Sequence, residues 1–321
     1  MNYGELIGDA FRITLRNRYL WFFGFFAGGS TSFNVPTNIP SGGGNFDTDD
    51  FQSSSSILSA LQVGQGLGTG VLIAGLVIIA LILALFFIFM SILSQGALAD
   101  SVAAIDRGDR RGFGTAFRSG LGNFWRVLGY IVVFILIAIG LLLVIGVPVA
   151  LLIGGTFAAT QSLGARITIS VVVGILAVLA LIVVFVPFSI IGQYALREIV
   201  VRRERVLGSV GSGYGIFRRN LGRSLLILLI QFGLSIGIAI AFFLALLIVG
   251  LVLFIPTIAL AVAGYSTAAI VAGVIAGVIL VPLLLVAAGA IGTFSHAYWT
   301  LAYLRLTAQP TAAPSPYPAT G

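Results

Sequence analysis

Four stretches of this chain run without a charged residue: Gly70 to Leu93, Val127 to Ala159, Ile167 to Ile191 and Leu225 to Ile291. Within them apolar residues occupy every face, with neither the 3.6-residue stripe of a half-buried helix nor the alternation of a barrel strand. Crossing the hydrocarbon core takes about 20 apolar residues in a helix, and lipid leaves backbone groups no partner outside the chain, so such runs predict helices. The first and third runs predict one span each. Val127 to Ala159 predicts one long span plus a connection. Leu225 to Ile291 must hold two, and Pro256 or Gly264-Tyr265-Ser266-Thr267 offers its only plausible turn. A shorter stretch, Tyr19 to about Phe33, precedes them, and its core from Tyr19 to Gly29 is short for a comfortable crossing.

Composition supports lipid as the solvent. Only 8% of residues are charged and 59% are hydrophobic, with a mean hydropathy of +1.13; soluble domains carry about 25% charged residues. All 17 basic residues are arginine. Cysteine is absent, which excludes disulfides and thiolate metal sites. Arginines precede the first apolar stretch (Arg12, Arg16, Arg18), lie between the next two spans (Arg107 to Arg126), fill the connection from Arg197 to Arg223, and follow the last span (Arg305). Placing those four regions in the cytoplasm satisfies the positive-inside rule and leaves only Arg166 outside. The polar loop from Ser30 to Ser56, with Asp47, Asp49, Asp50 and no basic residue, then lies outside. That parity requires Tyr19 to Phe33 to cross, for six spans in the plasma membrane with both termini cytoplasmic. A cleaved signal peptide is the rival reading of this end, which Glu5 and Asp9 fit poorly.

The chain also repeats itself. Phe11-Arg12-x-x-Leu15, Phe117-Arg118-x-x-Leu121 and Phe217-Arg218-x-x-Leu221 start 106 and 100 residues apart. Ser94-Gln95-Gly96-Ala97-Leu98 matches Gly192-Gln193-Tyr194-Ala195-Leu196, with a degraded copy in Ser295-His296-Ala297-Tyr298-Trp299. The expectation is an all-α integral membrane protein whose single membrane domain, 1–307, consists of three parallel repeats (1–105, 106–205, 206–307). Each repeat has an amphipathic cytoplasmic lead-in helix and two transmembrane helices; residues 308–321 form a disordered cytoplasmic tail. In the lead-in helices Ile7, Phe11 and Leu15, then Phe113, Phe117 and Leu121, then Tyr214, Phe217 and Leu221 share a face. Arg12, Arg16, Arg118, Arg218 and Arg219 are therefore candidate contacts for anionic phospholipid. The blander alternative makes these segments cytoplasmic extensions of the spans that pack on one another.

Candidate chemistry is sparse. Gln95, Gln193 and His296 occupy matched positions at the inner ends of the even-numbered spans, and Asp100 and Glu198 match each other five residues later. They form either a polar ring at a cytoplasmic vestibule or helix-end groups that bond neighbouring helices and local arginines. His296 is the only histidine, so no cluster of nitrogen or sulfur ligands for a metal can form around it. No phosphate-loop, zinc-protease or nucleophile-elbow motif occurs. The strings Gly64 to Gly70 and Gly211 to Gly215 read as loop or helix-start flexibility, and Gly273-Val274-Ile275-Ala276-Gly277 as a close-packing pattern. Pro148, Pro187, Pro256 and Pro282 could break helices. Gln231 and Ser235, one turn apart, suit interhelical hydrogen bonds.

The Phe-Arg lead-ins, the Gln-x-Ala-Leu markers and the ending Ala297-Tyr298-Trp299-Thr300-Leu301-Ala302-Tyr303-Leu304-Arg305-Leu306 resemble the bacterial membrane-domain family named after glycerophosphoryl diester phosphodiesterase. That resemblance implies a membrane module and transfers no active-site residue. The function expected is a non-enzymatic scaffold, anchor or regulator without cofactor or metal. Its partners would be the bilayer, a possible membrane protein and no nucleic acid; a transporter or lipid-translocating protein is the alternative.

Overall fold

A computed structural model describes residues 2–31 and 67–308; the expected outside loop beyond Thr31, with Asp47, Asp49 and Asp50, and the tail beyond Ala308 lie outside them. The described residues form helices and no strands: α1 (Tyr3–Arg16), α2 (Leu20–Thr31), α3 (Leu67–Asp106), α4 (Phe113–Ala159), α5 (Leu163–Val201), α6 (Val206–Arg219), α7 (Leu221–Val262) and α8 (Ser266–Thr307). Among them five helices, α3, α4, α5, α7 and α8, are long and apolar enough to cross a membrane. The chain is a multi-pass membrane protein. At most 11% of each apolar window is buried inside the protein, so the apolar surface faces outward. At 47 residues, α4 extends about 70 Å, more than twice the hydrocarbon thickness. Each long helix therefore projects well beyond the bilayer.

Packing concentrates at one end. Leu76 to Ile88 of α3 are exposed, whereas Ile92 to Ala104 are almost continuously buried. The same switch occurs in α5 at Ile190 and in α8 at Gly289. A helix buried on every side needs neighbours all round, and these three supply them: α3, α5 and α8 touch one another in pairs. The remaining helices surround that trio. α4 packs on both α3 and α5, α6 on α5, α7 on α8, and α1 and α2 on α8. Alanines at 97, 103, 195, 297 and 302 keep the central helices close.

The helices meet the expectations unevenly. α2, with 12 described residues, is not among the five helices long and apolar enough to cross a membrane. Helices continue through Pro148, Pro187, Pro256 and Pro282, so none of the four breaks its span. The turn in the last long run falls at Ala263 to Tyr265, where Gly264 adopts φ +84°, a conformation open to glycine at little steric cost. Only two of the expected lead-ins are separate helices. Asn17 closes α1 and Asn220 closes α6, each donating its side-chain amide to the carbonyl four residues back. Asn123 makes the same bond to Ser119, yet α4 runs on without interruption. Of the two glycine strings, Leu67 to Gly70 open α3, a helix start as expected, with the residues before Leu67 outside the described residues, whereas Gly211 to Gly215 lie within α6.

The tightest approach involves glycines other than Gly273 and Gly277. Gly24 and Gly28 of α2 meet Gly289, Gly292 and Thr293 of α8, and a β-carbon on Gly24 or Gly292 would clash with the opposing backbone. Thr293 Oγ1 is within hydrogen-bond reach of the Leu20 carbonyl at 2.9 Å. Gly273 only touches Thr257, and Gly277 faces open space.

Candidate functional site

The polar residues singled out in the sequence sit at the packed end, in and around the central trio. Gln95 is buried and makes no hydrogen bond to Gln193 or His296 among the described residues. Gln193 is half-buried and binds Arg197 one turn on: Arg197 Nη1 donates to the Gln193 carbonyl at 2.8 Å and to its side-chain oxygen. His296 is buried, with Nε2 3.5 Å from the Ala27 carbonyl. No hydrogen bond joins the three matched positions to one another among the described residues. Gln231 donates from Nε2 to Ser295 Oγ at 3.0 Å, linking α7 to α8 as expected.

The matched carboxylates have local partners. Asp100 accepts from Ser119 at 2.7 Å and pairs with Arg111 at 3.2 Å, fastening α3 to the start of α4. Glu198, 1% exposed, pairs with Arg202 at 3.3 Å. Asp9 of α1 bridges Arg12 and Arg305, tying the first helix to the end of the last.

Arginines decorate the same end. Arg12, Arg16, Arg118, Arg218 and Arg219 are all exposed, and none of the last four has an ion pair among the described residues. In α1 the inward stripe is Leu6, Ala10 and Ile13, against α8, whereas Phe11 and Leu15 are exposed beside the arginines. The shared face expected for Ile7, Phe11 and Leu15 is therefore mainly the outward one, although Phe11 still touches Phe294. In α6 it is Phe217 that is buried and Tyr214 that is exposed. Trp125 and Leu207 also stand out from this end, each 77% exposed. At the opposite end Arg166 folds back on its own chain, donating to the Thr160 and Phe157 carbonyls.

Where α5 turns into α6, two adjoining hollows of about 240 and 330 Å³ open between α5, α6 and the end of α8. They share Arg202, Ile216 and Arg219 as walls. Arg202 caps α5 and lies over the Tyr303 ring, its guanidinium carbon 5.9 Å from the centroid. Arg203 then takes φ 57°, the only non-glycine with positive φ among the described residues, and redirects the chain into α6. Gly213 lets α6 lie close to the α5 backbone at Ile191 and Ala195, while Gly211 and Gly215 line the hollow.

Residues 19–309 match the model of a family of unknown function, DUF7544. The chain belongs to this family. Membership in DUF7544 covers nearly all of the described helices and carries no activity with it; nor does it bear on the resemblance to the glycerophosphoryl diester phosphodiesterase membrane domain. No curated protein and no solved structure matches the chain.

Two features of this DUF7544 member escaped the sequence. Arg197 reads as one more arginine of a cytoplasmic connection, but it is a fully buried cation inside α5. Its spacing of four from Gln193 was the available signal, since such pairs meet on a helix face. The Glu198–Arg202 pair has the same spacing, but nothing in sequence shows that α6 and α8 wall a hollow beside it.

Proposed function

We propose that this chain is a non-enzymatic membrane module that anchors, scaffolds or regulates, with its packed end resting on anionic phospholipid through Arg12, Arg16, Arg118, Arg218 and Arg219. The observation carrying this reading is the division of the molecule: unpaired arginines and the packed core occupy one end, and outward-facing apolar helices make up the rest. Each arginine near an anionic leaflet contributes about 1 kcal/mol. Exposed Trp125 and Leu207 beside Arg126 and Arg205 suit the headgroup boundary, where amphipathic rings and apolar tips anchor a protein. By the positive-inside rule that end is cytoplasmic, and the reading places the chain in the plasma membrane.

The reading includes six spans in three parallel repeats, with α2 as a short sixth crossing. A cyclic pattern of contacts supports it. α4 packs on α3 through Gly120, α6 packs on α5 through Gly213, and α2 closes the circle on α8 through Gly24. In each case the start of one unit lies against the end of another. The side-chain bonds of Asn17, Asn123 and Asn220 recur near the three Phe-Arg motifs.

A transporter or proton relay is usually marked by charged groups within the spans, and the four apolar runs contain no Asp, Glu, Arg or Lys. The test is passage of ions and labelled lipids through proteoliposomes of the purified full chain. No passage by folded protein is the expected result. Passage that falls when Gln95, Gln193 and His296 are replaced by Leu would replace the module with a transporter.

A further inference from the structure

The hollow between α5, α6 and α8 combines two opposite demands. Both oxygens of Glu198 and one oxygen of Glu204 are buried without a hydrogen-bond donor among the described residues. The Tyr303 hydroxyl lies beside Glu198 but out of hydrogen-bond alignment. Arg202 makes an ion pair with Glu198 at 3.3 Å that likewise lacks hydrogen-bond alignment, and its side chain is half exposed. Glu204 stands behind the wall, where Ser212 of the lining donates to its other oxygen at 3.0 Å. Across the hollow Arg219 has no ion pair among the described residues. Buried carboxylate oxygens call for a donor-rich cation, and exposed guanidinium groups call for a phosphate.

A simple anion would meet the carboxylates and a simple cation the arginines. A zwitterion satisfies both. We propose that this hollow binds a phosphoethanolamine group, presented by an aminophospholipid, with the ammonium on Glu198 and the phosphate between Arg202 and Arg219. Arg202, being half exposed and poorly aligned on Glu198, turns to the phosphate as the ammonium takes its place on the carboxylate. The position suits a lipid, because the hollow opens at the arginine-bearing end, where headgroups lie in the membrane reading on which this inference rests. The proposal adds chemical selectivity to that reading: a quaternary ammonium has no N–H to give Glu198, and a glycerol headgroup has no cation at all.

The test titrates the full chain in detergent with short-chain phosphatidylethanolamine, phosphatidylcholine and phosphatidylglycerol, reading bound lipid by native mass spectrometry. Phosphatidylethanolamine should bind about tenfold more tightly than phosphatidylcholine, the scale of a charge-assisted hydrogen bond. Glu198→Gln should erase that preference. Arg219→Ala, at an exposed position that leaves the core untouched, should weaken both zwitterionic lipids. Equal affinity for the two, or tightest binding of phosphatidylglycerol, overturns the proposal. Soluble phosphoethanolamine binding as tightly as the lipid keeps the site and assigns it to a free solute. Resistance to alkaline carbonate extraction is measured alongside: protein that is stripped from vesicles fails the membrane reading itself, whereas headgroup indifference in protein that resists stripping fails only this inference.

Discussion

Arg197 poses the sharpest question at the scale of one residue. Its guanidinium is fully buried, and its bonds run only to the neutral carbonyl and side-chain oxygen of Gln193. Nε and Nη2 have no hydrogen-bond partner among the described residues. Desolvating a cation costs several kcal/mol, and neutral acceptors offset only part of it. Two substitutions should therefore act in opposite directions. Gln193→Leu strips the cation of its side-chain acceptor and should destabilise the fold by about 2–3 kcal/mol, the scale of a lost hydrogen bond to a charged group. Arg197→Met removes the charge but keeps much of the volume, and should leave the protein as stable or make it more so. In the Arg197→Met background, Gln193→Leu should then cost less than about 1 kcal/mol. Unfolding in mixed detergent micelles measures all three. A large loss on Arg197→Met would show that the cation has a partner worth more than its desolvation.

At the scale of elements, the α2–α8 crossing decides whether the first helices join the bundle. Gly24 and Gly292 leave no room for a β-carbon, so Gly24→Leu should separate the helices and cost about 3 kcal/mol, the upper range of an overpacking strain. Gly277→Leu, facing open space, should stay within about 0.5 kcal/mol of the parent. The same micelle unfolding reads both, and equal losses would mean that Gly24 is not a packing position. This contrast shows what the sequence could convey. Apolar runs specify helices because lipid leaves the backbone no other solution, and Gly264 marks a turn because positive φ favours glycine. Which glycines meet depends on how two helices cross, and no local pattern separates Gly24-x-x-x-Gly28 from Gly273-x-x-x-Gly277. Arg197 was hidden for a related reason: charge places a residue near a membrane boundary, but burial there depends on neighbours from other helices. Glu198 and Arg202 were visible as a pair, whereas their hollow exists only once α6 and α8 pack beside them.

At the scale of the whole molecule, electrostatics and topology can be tested independently. Replacing Arg118 and Arg218 with Gln should reduce the enrichment of anionic lipid around the protein in mixed nanodiscs by about 1 kcal/mol per site, with an effect that fades as salt is raised. No change would confine lipid contact to other arginines. Topology turns on α2, whose 12 described residues extend about 18 Å, short of a hydrocarbon core of about 30 Å. It can complete a crossing only if the bilayer thins or adjoining residues add length. The chain contains no cysteine, so a single cysteine placed at Gly8 on the exposed side of α1, at Gly108 or at Ser162 reports its side through an impermeant thiol reagent applied to intact cells. Gly108 follows α3, and Ser162 joins α4 to α5 at the other end. Ser162→Cys should label from outside and Gly108→Cys only after permeabilisation. If Gly8→Cys behaves like Gly108→Cys, the six-span reading holds, both termini lie inside, and the three lead-in segments share one leaflet as the lipid-contact proposal requires. Labelling like Ser162→Cys would mean that α2 does not cross, put α1 on the outer side, reduce the spans to five and end the threefold reading of the repeats. The hollow beside Glu198 would survive that outcome, since only α5, α6 and α8 build it.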